Sequence, residues 1–220
     1  MSDRPTREWN GLIIPSPGIY DLDEGHKRIG FHTMHMMVSP VRGEFAKGQA
    51  RIIVAEDPLQ SSVTAVIQAN SIDTTNPERD AHLSSADFLD VESFPALEFR
   101  STGVKYQEAD ESIFLWANLR RNKISRRAVD MPEPAGKRPG KFVLSGDLRI
   151  RSVTQPVELT VEFGGARRDP YGRDIVGFSA HTEIDREDFG LVWNVALESG
   201  GVLVGKKVRI EIAGEAIRQQ

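Results

Sequence analysis

The feature of this sequence that most limits its fold is a period of two in its apolar residues. Within residues 156–163, Val, Leu, Val and Phe alternate with Glu, Thr and Glu. Within residues 207–212, Val and Ile alternate with Lys, Arg and Glu in the same way. Successive side chains of a β-strand point to opposite faces, so both segments are predicted to be half-buried antiparallel strands.

Weaker alternation recurs along the chain and predicts about eight or nine strands in all. Gly, Pro, Asp and Asn separate the segments. Closing that many strands into a barrel removes the exposed sheet edges. The further predicted strands are 28–37, 50–55, 63–72, 97–107, 112–119, 141–151 and 174–184.

Helical signals are short. Asn76 followed by Pro77 has the form of a capped helix start, 84–89 is a candidate for another turn or two, and 185–190 is a third candidate. None has the length of an amphipathic surface helix. We therefore expect one all-β domain, a single extended antiparallel eight-stranded barrel with short helical inserts, over residues 18–217, preceded by an N-terminal extension over 1–17.

Composition excludes several classes of protein. The 220 residues carry 28 basic and 32 acidic side chains, so the net charge of −4 does not favour general binding to polyanions. Cysteine is absent, which excludes disulfides and thiol catalysis. No apolar run approaches the roughly 20 residues that span a bilayer. The polar N-terminus lacks the apolar stretch of an export signal, so we expect a cytoplasmic protein.

One segment, 119–141, stands out by its charge, with eight basic and two acidic side chains. Its prolines and glycines predict a long irregular loop, and loops of this length are usually functional or disordered. Two interpretations stay open: a solvated loop, or a contact site for anionic lipid head groups, nucleic acid or a partner. It lacks the interleaved aromatic residues on which single-stranded nucleic acids stack, so we expect no nucleic-acid partner.

The common catalytic motifs are missing, including the nucleophile elbow, the phosphate-binding loop and the dinucleotide-binding glycine pattern. His26, His32 and His35 lie within ten residues of one another. In a strand, however, His32 and His35 point to opposite faces, so a shared metal would need a bend or a ligand from elsewhere. We expect no metal site and no cofactor.

The order and spacing of several short motifs resemble the YceI family of lipocalin-like, polyisoprenoid-binding proteins. The resemblance covers about 18–217 and is most specific between Ser71 and Phe99. The motifs are Asp23-Glu24-Gly25-His26, Val41-Arg42-Gly43-Glu44-Phe45, Ser71-Ile72-Asp73-Thr74, Arg79-Asp80-Ala81-His82-Leu83, Phe94-Pro95-Ala96-Leu97-Glu98-Phe99, Val153-Thr154-Gln155-Pro156-Val157 and Ile184-Asp185-Arg186-Glu187-Asp188-Phe189-Gly190.

The resemblance implies an extended eight-stranded barrel whose long apolar interior holds an isoprenoid lipid, an isoprenoid quinone or a related amphiphile. It implies binding, storage or transport without catalysis. This chain departs from the family pattern at Lys27 and Ser152, and its basic loop at 119–141 is longer than usual.

The alternation selects the side chains that would face such an interior. A neutral His35, in phase with Phe31, is either a hydrogen-bonded core histidine or a polar contact to a ligand head group. In the basic loop, Arg120, Arg121, Arg126 and Arg127 are candidates for contact with a head group or a partner. The predicted ligand-binding residues are Phe31, His35, Phe45, Ile72, Phe99, Trp116 (or Leu115, depending on register), Leu144, Leu148 and Phe178.

Two alternatives stay open at this point. A barrel filled by its own side chains would be an interaction module that uses the 119–141 loop to contact a partner or a membrane surface. An enzyme acting on a bound amphiphile would use His26, His35 or His82 with a nearby Asp. Peripheral membrane contact and a homodimer are likewise compatible with the sequence.

Overall fold

A computed structural model describes residues 4–107, 141–196 and 202–219. The helical elements are one α-helix, α1 (Pro77–Ser84), and three short 3₁₀ helices (Pro58–Gln60, Ala69–Ser71 and Arg186–Phe189). The strands of the described residues are β1 (Thr6–Trp9), β2 (Leu12–Pro15), β3 (Gly18–His35), β4 (Ser39–Phe45), β5 (Gly48–Val54), β6 (Ser62–Gln68), β7 (Ile72–Asp73), β8 (Ala96–Tyr106), β9 (Lys141–Ile150), β10 (Val153–Arg168), β11 (Asp174–Asp185) and β12 (Val204–Arg218).

Eight of these strands close into an antiparallel barrel in the order β3, β5, β6, β8, β9, β10, β11 and β12. The pairing of β12 with β3 joins the last strand to the first and completes the ring. The predicted fold class, a single antiparallel eight-stranded barrel with short helical inserts, is confirmed.

The long strand β3 pairs with two partners on the same side. Its first residues pair with β5, from Gly18↔Val54 to Asp21↔Arg51. Its last residues pair with β4, from Gly30↔Glu44 to His35↔Ser39. Because β4 and β5 follow one another directly, they act as one strand that separates from β3 in the middle.

The period of two in the sequence places alternate side chains on the inner and the outer face of the barrel. In β10, Val157, Leu159, Val161 and Phe163 face the interior, whereas Glu158 and Glu162 face outward and meet Ser145 and Lys141 of β9. The predicted strand 112–119 lies outside the described residues.

The helix predictions are confirmed only in part. Helix α1 begins as expected, since the Asn76 side chain accepts a hydrogen bond from the Arg79 N–H and Pro77 occupies the first turn. The prediction of helix at 84–89 is wrong: the chain turns there, which buries Phe88 beside His82 and Trp193 and places Leu89 in the apolar core of the barrel. The candidate at 185–190 is the 3₁₀ helix Arg186–Phe189, ended by Gly190 in the left-handed region.

The two ends of the barrel are built differently. At the helix end, buried side chains form a floor cluster: Ala69, Leu89, Leu97, Leu148, Ile150, Ile184, Phe189 and Leu191. At the hairpin end, the β1–β2 hairpin lies against the barrel. There Trp9 packs against Tyr106 and Phe142, with ring centroids 5.7 and 6.3 Å away. No helix in the described part of the chain has the length and apolarity to span a membrane.

Candidate functional site

A cavity of about 270 Å³ runs inside the barrel. At the helix end it is bounded by Leu97, Leu148 and Ile150, which also belong to the floor cluster. At the hairpin end Ile14 and Pro15 of β2 contribute to its wall. The cavity therefore extends between the two closures, and every barrel strand supplies side chains to it.

The wall of the cavity is apolar. Among the described residues that line it, polar side chains belong only to Tyr20, Gln49, Ser61 and Thr182, and there is no Asp, Glu, Lys, Arg or His. The remaining lining residues are Ile14, Pro15, Leu22, Ile29, Gly30, Phe31, Phe45, Ala50, Ile52, Val54, Pro58, Val63, Ala65, Ile67, Leu97, Phe99, Val104, Phe142, Leu144, Leu148, Ile150, Val157, Leu159, Val161, Phe163, Val176, Phe178, Ala180, Ile210, Ile212 and Ala216.

Two of the polar groups already have partners within the protein. The buried Tyr20 hydroxyl donates to the Ser16 carbonyl oxygen at 2.7 Å, and burial raises the pKa of the phenol above 10.0, so it stays neutral. The Ser61 hydroxyl oxygen accepts from the Ala55 N–H at 3.2 Å. A cavity of this kind excludes water and offers few directed hydrogen bonds, so it suits a long uncharged chain rather than a polar metabolite.

Six of the residues proposed from the alternation lie in this wall: Phe31, Phe45, Phe99, Leu144, Leu148 and Phe178. The rings of Phe31 and Phe45, on neighbouring strands, have centroids 5.6 Å apart. Phe99 lies against Gly146, where a side chain would not fit beside the ring.

The structure does not bring the other described candidates to the cavity. His35 is the last residue of β3 and adjoins the turn to β4, and it is absent from the wall. Ile72, paired with Phe45, packs beside the floor cluster instead. Trp116, Leu115, Arg120, Arg121, Arg126 and Arg127 lie outside the described residues, as does the 119–141 loop except for Lys141.

The histidines considered for acid–base chemistry do not face the cavity. His26 Nδ1 lies 2.9 Å from Asp23 Oδ2 on the outer surface. His82 Nε2 lies 3.1 Å from Asp87 Oδ2 and packs edge-on against Trp193, with ring centroids 4.5 Å apart. Neither pair, nor His35, is among the described residues that line the cavity.

Sequence reasoning missed the contribution of the N-terminal hairpin. Ile14 and Pro15 line the cavity, although they belong to the segment 1–17 that we expected only as an N-terminal extension preceding the barrel domain. A signal was present: Asn10-Gly11 stands between Trp9 and Leu12, and both turn residues have positive φ, 47° and 77°. An Asn-Gly pair between apolar residues is the strongest short-range sign of a β-hairpin.

Comparison with known proteins finds similarity over most of the chain. The model of the YceI-like domain matches residues 20–216. A UPF0312 protein of Staphylococcus epidermidis is 31% identical over 198 residues, which cover 89% of this chain and 95% of that protein. A UPF0312 protein of Staphylococcus aureus is 30% identical over 200 residues, with the same coverage.

Solved structures share the barrel at lower identity. BcnA of Burkholderia cenocepacia superposes with a TM-score of 0.62 and 17% identity, covering 90% of this chain and 99% of BcnA. A polyisoprenoid-binding domain from Saccharophagus degradans, implicated in plant cell wall breakdown, gives a TM-score of 0.58 at 12% identity, covering 93% of this chain and 100% of that domain. At these identities the likeness is one of fold. Because the family model and the staphylococcal relatives each span most of the chain, the protein belongs to the YceI family.

Proposed function

We propose that the protein binds a long-chain amphiphilic lipid, such as a polyisoprenoid or an isoprenoid quinone, inside the barrel and stores or carries it without catalysis. The observation that carries this proposal is a cavity whose described wall has no ionisable side chain except the neutral Tyr20. An uncharged hydrocarbon chain needs only removal from water, which such a wall provides.

The energetics favour a long ligand. Burial of each CH₂ group of the ligand stabilises the complex by roughly 0.8 kcal/mol, so a five-carbon isoprene unit contributes about 4 kcal/mol at most. A few units therefore suffice for tight binding, although ordering of the chain and of the protein reduces the net value. Each carbon adds a similar increment, so chains of similar length are expected to bind with similar affinity.

The absence of acid–base groups from the described cavity wall supports binding over catalysis. A general acid or base must come within hydrogen-bonding distance of the reacting group. His26 and His82, with their Asp partners, lie outside that wall. The solved Saccharophagus degradans relative, a polyisoprenoid-binding domain, supports the same ligand class for this chain.

A barrel packed by its own side chains, the main alternative, is not favoured by an interior cavity of about 270 Å³. We propose that a polar head group lies at one end of the barrel. Contact between that head group and the arginines at 120, 121, 126 and 127 stays a prediction, as do membrane contact, dimerisation and the cytoplasmic location.

The test is organic extraction of the purified full chain followed by lipid mass spectrometry, with a native mass spectrum for stoichiometry. We expect one prenyl or quinone species per chain. If the extract is empty, the delipidated protein is titrated with a polyprenol and with a polar metabolite of similar mass. Failure to bind the polyprenol, or equal binding of both compounds, would reject the proposal.

A further inference from the structure

The β3–β12 pairing closes the barrel, and we call it the closing seam. This pairing is irregular on the outer surface of the barrel. Along the β3–β12 pairing, Leu22 lies opposite Ala216 and Lys27 lies opposite Gly214. Four residues of β3, 23–26, therefore face Glu215 alone. A bulge of this kind bends the strand and redirects side chains, and bulges are common beside functional sites.

The bulge brings three metal-ligating side chains together. His26 Nδ1 lies 2.9 Å from Asp23 Oδ2 and 3.9 Å from Glu215 Oε2, and the three ligand atoms lie within 4.8 Å of one another. In a tetrahedral zinc site with bonds of about 2.0–2.1 Å, neighbouring ligand atoms are about 3.3 Å apart. The observed separations bracket that value, so small side-chain rotations would complete the geometry.

Neither carboxylate at this bulge, Asp23 or Glu215, is paired directly with a lysine or an arginine among the described residues, although the charge of Arg173 acts on Asp23 from a longer distance. The nearby cations are engaged elsewhere: Lys27 Nζ lies 3.3 Å from Glu24, and Arg173 Nε lies 2.7 Å from Asp169.

Several other carboxylates on the outer surface do have such a partner. Asp21 lies 2.8 Å from Arg51, and Glu183 lies 2.9 Å from Arg209. The bulge therefore holds two carboxylates without a direct Lys or Arg partner among the described residues, an arrangement that favours a bound cation.

The bulge is also accessible from solvent. His26 and Glu215 line an open groove of about 660 Å³ on the outside of the barrel. Gly25, Gly177 and Gly214 leave its floor without side chains. The side chain of His26 is 68% exposed, so a cation can reach its imidazole and complete its coordination with water.

We propose that Asp23, His26 and Glu215 bind a divalent transition-metal cation of the Zn²⁺ type, which ties β3 to β12 across the closing seam. One imidazole nitrogen and two carboxylate oxygens suit Zn²⁺, Co²⁺ or Ni²⁺, whereas Mg²⁺ and Ca²⁺ prefer sites made of oxygen alone. The cation takes the place of the proton between His26 Nδ1 and Asp23 Oδ2, and water occupies the remaining position, as in open zinc sites.

The first test is calorimetric titration of the full chain, treated with EDTA and dialysed, with Zn²⁺ and separately with Mg²⁺. We expect one Zn²⁺ per chain and at least tenfold weaker binding of Mg²⁺. Asp23→Asn and Glu215→Gln should each weaken Zn²⁺ binding at least tenfold, because each removes a charged ligand. The matched control is Asp87→Asn, which neutralises the carboxylate of the other exposed His–Asp pair and should leave the Zn²⁺ affinity unchanged.

Hydrogen exchange gives a second readout that does not depend on the variants. Zn²⁺ should slow exchange of backbone amides at 22–27 and 214–216, on the two sides of the seam, and leave amides near His82 unaffected. No Zn²⁺ binding, binding lost equally in Asp87→Asn, or protection centred on His82 would each overturn the proposal. The proposal does not depend on the nature of the lipid, so the lipid and metal experiments can fail separately.

Discussion

Gly146 allows Phe99 to take its place in the cavity wall, and replacing this glycine tests how tightly that wall is packed. Gly146 lies in β9, opposite Ser101 of β8 and Val157 of β10. A methyl group at this position would overlap the Phe99 ring and lie 2.7 Å from the Arg100 carbonyl oxygen. The carbonyl belongs to the sheet backbone and cannot move aside without disturbing the β8–β9 pairing.

The expected cost of Gly146→Ala follows from two opposing effects. Overpacking a well-packed interior destabilises by about 1–3 kcal/mol. Loss of glycine's freedom in the unfolded chain offsets about 0.4–1 kcal/mol of that cost. The net loss of unfolding free energy is about 0–2.6 kcal/mol, and its central value of about 1.3 kcal/mol corresponds to a fall of roughly 3–5 °C in Tm for a chain of this size.

Gly103, in the facing strand, supplies the matched control. A Cβ at Gly103 would meet no atom within 4 Å, so Gly103→Ala gains only the unfolded-state effect. Its Tm should stay the same or rise by up to about 4 °C. Thermal unfolding followed by circular dichroism measures both variants. If Gly146→Ala is as stable as Gly103→Ala, the wall near Phe99 is more loosely packed than the structure indicates.

Four further predictions concern the cavity, the N-terminal hairpin, the buried Arg186 and the closing seam between β3 and β12. Ala180→Phe, which fills the cavity, should reduce copurifying lipid at least tenfold by mass spectrometry, whereas Ser179→Phe on the outer face should not. Trp9→Ala removes two aromatic pairs of about 0.5–1.5 kcal/mol each, so bound lipid should exchange faster into acceptor vesicles and Tm should fall by roughly 2–12 °C. Arg186→Ala removes a buried guanidinium that donates to three backbone carbonyls, and should lower the unfolding free energy in urea by about 2–4 kcal/mol. The hydrogen bond to Asp23, followed by the charge of Glu215, raises the pKa of His26 above its ordinary 6.5, so its stabilisation is complete below pH 6.5 and is lost as pH rises through the raised pKa; His26→Asn in EDTA should remove that part of the pH dependence of Tm.

The face on which a side chain lies could be predicted from the sequence, but its depth along the barrel could not. Phe31 and His35 share the phase of β3, yet only Phe31 lines the cavity. Between them Thr33 donates to the carbonyl oxygens of Gly205 and Lys207, where the β3–β12 register shifts. The strand has passed the end of the cavity by that point, and alternation carries no information about where a cavity ends.

Ile72, which was predicted to line the cavity, lies elsewhere for a related reason. The 3₁₀ helix Ala69–Ser71 ends the alternation of β6, and Ile72 belongs to the separate short strand β7, which pairs with β4 outside the eight-stranded ring. After this turn Ile72 packs beside the floor cluster rather than facing the cavity. The one-turn helix has no sequence signal strong enough to compete with the surrounding period of two.

Two tight turns, at residues 10–11 and 36–37, differ in how well the sequence predicts them. Asn10-Gly11 has the residues that a turn with two positive φ values requires, so the N-terminal hairpin was predictable. Met36-Met37 adopts positive φ values of 52° and 60° in the β3–β4 turn without either preferred residue. That turn is determined by the strands that it joins, and no sequence pattern could have located it.

The construction of the barrel limits what it can distinguish in a ligand. The described wall offers few polar contacts, so recognition of chemical groups along the ligand contributes little. The floor cluster, by contrast, is made of buried side chains that belong to several elements, and displacing them would cost packing energy at each position. If the proposed function is correct, a hydrocarbon chain bound in the cavity extends towards the helix end only as far as Leu97, Leu148 and Ile150. For the lipid ligand that we propose, we therefore expect the barrel to select the length of hydrocarbon that fits above this floor rather than the chemistry of its individual carbons.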